Sequence, residues 1–199
     1  VINPENVTDF HRTKAQLEEF MLFCICVPSK PARTQARKLE QLLLYRNTAT
    51  PFDYIRALDK KPGALVEELQ NARLRQYKRI GRAFRLVLGI DLGSVSVEAL
   101  ERLVGRKTAR FFLIHSRPGL RLAILDTHIL KYLRTQGVRG VPKTTPTSGK
   151  EYARLEQAYL DVLAKQGITD LAKHDLMIWT MASRKTSTPA EHGMRRHQN

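Results

Sequence analysis

The chain is poor in several things at once: it holds two cysteines and one tryptophan in 199 residues, and 19 acidic residues against 34 Lys and Arg. Each shortage excludes something. Two cysteines cannot supply a four-Cys iron–sulfur cluster or a Cys-rich zinc site, and the six histidines show no H-E-x-x-H or similar spacing, so no metal is expected in catalysis. Cys24 and Cys26 stand two apart in an apolar run, where a helix points them in different directions, and no disulfide between them is expected. The longest apolar run, Phe20 to Val27, falls far short of the roughly 20 residues that span a bilayer, and reads as a buried helix segment. No charged leader with an apolar stretch and a small-residue cleavage site opens the sequence, so an intracellular, reducing setting is expected.

The shortage of acid leaves a formal net charge of +15, which attracts polyanions, with nucleic acid ahead of an anionic membrane. A hydrophobic content of 42% in a chain of this length supports one substantial core or two small lobes. Apolar residues recur at three- and four-residue spacing, and no long segment alternates with period two, so the expected fold class is all-α. Helices are expected near 12–27, 33–45, 51–58, 63–71, 74–89, 95–103, 106–116, 127–136, 150–166 and 170–182. Thr50-Pro51 suits an N-cap and first helical position, and Thr169-Asp170 can cap the last helix after Gly167. Residues 137–149, rich in Gly, Pro and Thr with two cations and no acid, read as a loop, either a plain linker or a strand-contacting segment. The basic tail 184–199 lacks periodic apolar residues and is expected to be disordered.

Between Asn71 and Arg85 stand six cations and no acid. On a helix Arg75, Lys78, Arg82 and Arg85 would share one face, while Tyr77, Ile80, Phe84 and Val87 lie toward the other. An acid-free stripe needs either an external anion or distant acidic partners, which makes Arg75, Lys78 and Arg82 candidates for phosphate contact.

The stretch from Val97 to Arg134 carries the chemistry. Val104-Gly105 supplies a tight turn, and a helix starting near Arg106 leaves its first N–H groups and its positive dipole end open to a phosphate. Lys107 then stands where the dipole and the neighbouring Arg106 disfavour its ammonium and free the amine for attack on carbon. Nineteen residues on, after a helix and the turn Arg117-Pro118-Gly119, Asp126 opens the next helix, and a connection of that length can return it to Lys107. Taken alone, Asp126 with Thr127 reads as an ordinary N-cap. His115 reads as a structural or solvent residue, His128 equally as a site residue or as capping and packing, and Trp179 with Met177, Ile178 and Met181 as core packing.

G-R-K-T-A at 105–109 and L-D-T-H-I-L at 125–130 resemble the hairpin-and-lysine motif and the aspartate motif of endonuclease III and its relatives, the helix-hairpin-helix DNA glycosylase superfamily. Weaker likeness upstream, in L-E-E-F-M-L-F-C-I-C-V and R-Q-Y-K-R-I-G-R-A-F, extends the resemblance over about residues 17–136. It implies a two-lobed helical fold, with residues 29–125 as one lobe and 1–28 with 126–183 as the other. It also implies a monomer that binds duplex DNA through Val104, Gly105, Arg106 and Thr108 and flips one damaged base, 8-oxoguanine or an oxidised pyrimidine, into a pocket. By the same resemblance Lys107 forms a Schiff base that permits strand cleavage, Asp126 assists it, no cofactor is needed, and the setting is cytoplasmic or nucleoid-associated. The chain departs from the family where L-E-R-L-V-G-R-K replaces the usual L-P-G-V-G-R-K, and where Lys30 in V-P-S-K-P aligns with a gap-filling glutamine. The C-terminal cysteine cluster of many relatives is absent, as in the 8-oxoguanine-removing branches. Two other readings share these features: a phage-type enzyme acting on hypermodified thymine, and a noncatalytic DNA-binding module.

Overall fold

In the computed structural model, which describes residues 2–44 and 46–185, the described chain is helical and contains no strand. Its elements are α1 (Lys14–Cys26), α2 (Ala32–Leu43), α3 (Pro51–Asp59), α4 (Ala64–Asn71), α5 (Tyr77–Val87), α6 (Val97–Val104), α7 (Arg106–Ser116), α8 (Thr127–Thr135), α9 (Gly149–Lys165) and α10 (Leu171–Lys185). The all-α expectation is met. The expected disordered tail lies outside the described residues, except for 184 and 185, which belong to α10.

Local chemistry sets the helix ends. Thr13 and Gln16 form a reciprocal capping box at α1, Thr50 caps α3 with Pro51 in the first turn, and Asp170 accepts from the Lys173 N–H at the start of α10. Three helices stop in the same way. The residue after the cap turns left-handed, its N–H reaches back three residues, and the next N–H reaches back five, at Arg73-Leu74, Gly137-Val138 and Gly167-Ile168. Because Arg73 (φ 55°) and Gln76 (φ 65°) are both left-handed, α5 begins at Tyr77, three residues later than expected. Arg75 therefore precedes α5 and does not share a helical face with Lys78 and Arg82.

Buried side chains form two clusters. The larger gathers Phe20, Phe23 and Ile25 of α1 with Leu39, Phe52, Leu69, Phe84, Leu100 and Phe112, and so ties α1 to α2 through α7. The smaller joins Leu125, Leu130 and Leu133 to Tyr152, Leu155, Tyr159, Leu163 and Ile178. The expected grouping of residues 1–28 with 126–183 differs from this, because the apolar run of α1 is buried against helices of the 29–125 segment. Glu18 of α1 is 3% exposed and accepts from the Phe52 N–H, which satisfies a donor in the first turn of α3. Cys24 and Cys26 are free and buried, and desolvation pushes the Cys26 thiol up to about 12. No helix among the described residues is long and apolar enough to cross a membrane.

Candidate active site

Gly105 alone separates α6 from α7. Its φ of 82° and ψ of 153° fall in a region that side chains other than glycine scarcely enter, and a Cβ built there would meet nothing within 4 Å, so the glycine is required by backbone conformation and not by crowding. No side chain caps α7, and no acid stands in its first turn, so the N–H groups of Arg106, Lys107 and Thr108 remain open. Lys107 is thereby placed in the first turn of α7, with its side chain 55% exposed.

Asp126 is the N-cap of α8, as its local sequence reads, and it does a second thing. Its Oδ1 accepts from the N–H groups of His128 (2.8 Å) and Ile129 (2.9 Å), while its Oδ2 lies 3.6 Å from Lys107 Nζ. Capping immobilises the carboxylate, and the free oxygen is presented to the amine. The Asp126 side chain is 11% exposed, so the pair joins a buried acid to an exposed base.

The segment before Asp126 is held from three sides. Tyr152 of α9 donates to Ala123 O (2.7 Å) and accepts from the Leu125 N–H (3.2 Å), and burial pushes its hydroxyl up to about 12, so it stays protonated as a donor. Glu156 accepts from the Ala123 N–H (2.8 Å) and pairs with Arg110, which also pairs with Glu101 (2.6 Å). Thr145 donates to Leu125 O (2.7 Å), so the 137–149 loop is pinned against the site. These ties fix α7, the Asp126 segment and α9 relative to one another. Neither Glu156 nor Thr145 carries a signal in the sequence, since each acts across more than 19 residues.

Lys107 and Asp126 open on a cavity of about 790 Å³. One part of its lining comes from α1, the α1–α2 turn, α2 and α7, with Phe23, Lys30 and Phe111. Another part comes from the start of α8 and from α10, with Ile124, His128, Asp175 and Trp179. Thr108 lines it too. Trp179 therefore faces the cavity as well as packing against the larger core. Lys30 lines it from the turn after α1, half-buried beside Ser29, which adopts a left-handed φ of 61°.

The remaining cations divide into engaged and open groups. Arg106 is committed within the protein, paired with Glu101 (3.3 Å) and stacked over Tyr152 (4.5 Å), so its backbone N–H is its open group. Arg85 pairs with Asp59 (2.6 Å), the distant acidic partner that its stripe requires. Arg79 donates to Ile25 O (3.0 Å), which seats α5 against the end of α1. Arg75, Lys78 and Arg82 are exposed. Among the described residues, no group of three His, Cys, Asp or Glu side chains could hold a metal ion. No family model, curated protein or solved structure matches the chain.

Proposed function

We propose that this protein is a DNA glycosylase with associated abasic-site lyase activity, built as a two-lobed helix-hairpin-helix enzyme that acts as a monomer on duplex DNA in the nucleoid. The observation that carries the reading is the Lys107–Asp126 pair, 3.6 Å apart at a cavity, with the second oxygen of Asp126 locked in the cap of α8. A lysine with a fixed carboxylate beside it is the minimum machinery for attack on C1′ of a sugar. Open N–H groups in the first turn of α7 supply the phosphate contact that would hold the backbone beside that lysine.

The chemistry follows from the two groups. The neutral Nζ of Lys107 forms a bond to C1′ as the glycosidic bond breaks and its electron pair leaves with the damaged base, 8-oxoguanine or an oxidised pyrimidine. Asp126 Oδ2 takes the proton that the amine sheds, or faces the positive charge that develops on the sugar. Ring opening gives a Schiff base, and loss of a proton from the sugar expels the 3′ phosphate by β-elimination. Lys30, which lines the cavity, suits the space that a flipped nucleotide vacates. Arg75, Lys78 and Arg82 suit flanking phosphates.

Borohydride reduction in the presence of a duplex with a single abasic site tests the reading. A covalent protein–DNA adduct that disappears in Lys107→Gln is the expected result. Duplex binding without any adduct would leave a binding module.

A further inference from the structure

The cavity holds a second acid that chemistry at C1′ does not use. Asp175, on α10 one turn before Trp179, is 9% exposed, and its side chain opens on the cavity. Among the described residues His115 Nε2 lies 3.5 Å from Asp175 Oδ2, an ion-pair distance at which Nε2 makes no hydrogen bond.

His115 is itself gripped by the segment that precedes α1. Its ring is fully buried, Thr8 Oγ lies 2.8 Å from Nδ1, and its carbonyl accepts from the Asp9 N–H (3.1 Å) and from Arg12 (2.8 Å). The tautomer in which Thr8 donates to Nδ1 puts the ring proton on Nε2, facing Asp175. A chain of contacts therefore runs from the N-terminal segment through α7 to one carboxylate in the cavity.

An ionised carboxylate accepts up to about four hydrogen bonds, and among the described residues this one has the 3.5 Å contact to His115. Burial pushes the Asp175 carboxyl above its ordinary value, against the opposing pull of His115. Each N–H that a ligand brings to it favours the ionised form, so the site selects for donors. Lys107, Asp126 and Asp175 all line this cavity, so the acid shares it with the proposed reacting pair. Phe111 and Trp179 supply aromatic surface for a flat ring.

We propose that Asp175 reads the extruded base by accepting the paired N–H donors of a guanine-type edge, a ring N–H beside an exocyclic amine, with His115 and Thr8 as positioning residues. The inference rests on the glycosylase reading of the site. Two parallel N–H groups match the two oxygens of a carboxylate. A thymine-type edge sets carbonyl oxygens on both sides of its one N–H and is repelled. An adenine- or cytosine-type edge sets a bare ring nitrogen beside its amine and fills one oxygen only.

The test compares single-turnover excision of 8-oxoguanine and of 8-oxohypoxanthine, which keeps the oxidised C8 and the ring N–H but lacks the amine. Full-length wild type is measured beside Asp175→Asn and Thr8→Val, each checked for helical content. Wild type is also trapped on an abasic duplex, which contains no base to read. The expected result is an abasic-site adduct, a preference of at least about tenfold for 8-oxoguanine, collapse of that preference toward one in Asp175→Asn, and an intermediate value in Thr8→Val. A wild-type adduct with excision of neither purine, with no preference between them, or with the preference kept in a folded Asp175→Asn overturns this proposal and spares the glycosylase reading. Absence of the adduct in wild type overturns that reading, and this one with it.

Discussion

Asp126 and Asp175 line the same cavity as Lys107 and are built in opposite ways. Asp126 stands at a helix N-terminus, where two backbone N–H groups hold one oxygen and Lys107 faces the other. Asp175 lies inside α10, where among the described residues one histidine stands 3.5 Å away. A carboxylate with its donors in place is cheap to keep ionised and fixed in direction, which suits a group that must act on the same atom in every turnover. A carboxylate short of donors is costly to bury and favours whatever supplies them, which suits a group that must tell ligands apart.

The largest effect that breaks the contrast is at Asp126. Asp126→Asn keeps the cap, because Asn caps as well as Asp, and excision is expected to fall by about 10² to 10⁴ with thermal stability nearly unchanged. Asp126→Ala should lose the same activity and about 1 kcal/mol of stability besides, read by denaturant unfolding. If both variants unfold alike, the cap and the chemistry are not shared by one side chain.

Next in size is Gly105→Ala. With open space around the added Cβ, the expected penalty is conformational, about 1–3 kcal/mol, and falls where the first turn of α7 presents Lys107. Weaker duplex binding together with lowered stability is the expected pattern. Unchanged stability would show that the backbone there relaxes freely.

Asp175 carries a pH signature. Its folded value lies above its unfolded value, so the native protein binds the proton more tightly, and wild type loses stability as pH rises from about the ordinary carboxylate value of 3.9 through the raised one. Asp175→Asn lacks that group. Its stability relative to wild type should therefore climb with pH over this window, as followed by thermal melts from acid to neutral, and a flat difference would remove the desolvation argument.

The smallest effects are expected at the exposed cations. Lys78→Ala and Arg82→Ala should each weaken duplex binding without regard to the base present, and flatten the log–log salt dependence by about 0.9 for every phosphate that is no longer neutralised. Arg85→Ala, whose side chain is tied to Asp59, should leave the salt slope as it was.

Much of this architecture was legible in the sequence. Periodic apolar spacing and caps such as Thr50 and Asp170 locate the helices closely, because those signals are local. The shift of α5 came from Arg73 and Gln76, left-handed residues that are not glycine and so send no warning. Lys107 and Asp126 could be paired from their motifs and separation. Asp175, His115 and Thr8 could not, since His115 and Thr8 are 107 residues apart and only the packing of α7 against the N-terminal segment and α10 brings the three together. Trp179 read as core because a buried aromatic and a cavity wall share one sequence signature.

On the proposed reading, Lys107 reacts with sugar carbon while Asp126 assists it. Borohydride trapping on an abasic duplex, run with wild type, Lys107→Gln and Asp126→Asn, measures it most directly. The expected result is a wild-type adduct that maps to Lys107, none in Lys107→Gln, and slower formation in Asp126→Asn. An adduct that persists in Lys107→Gln, or none in wild type despite tight binding, would contradict it.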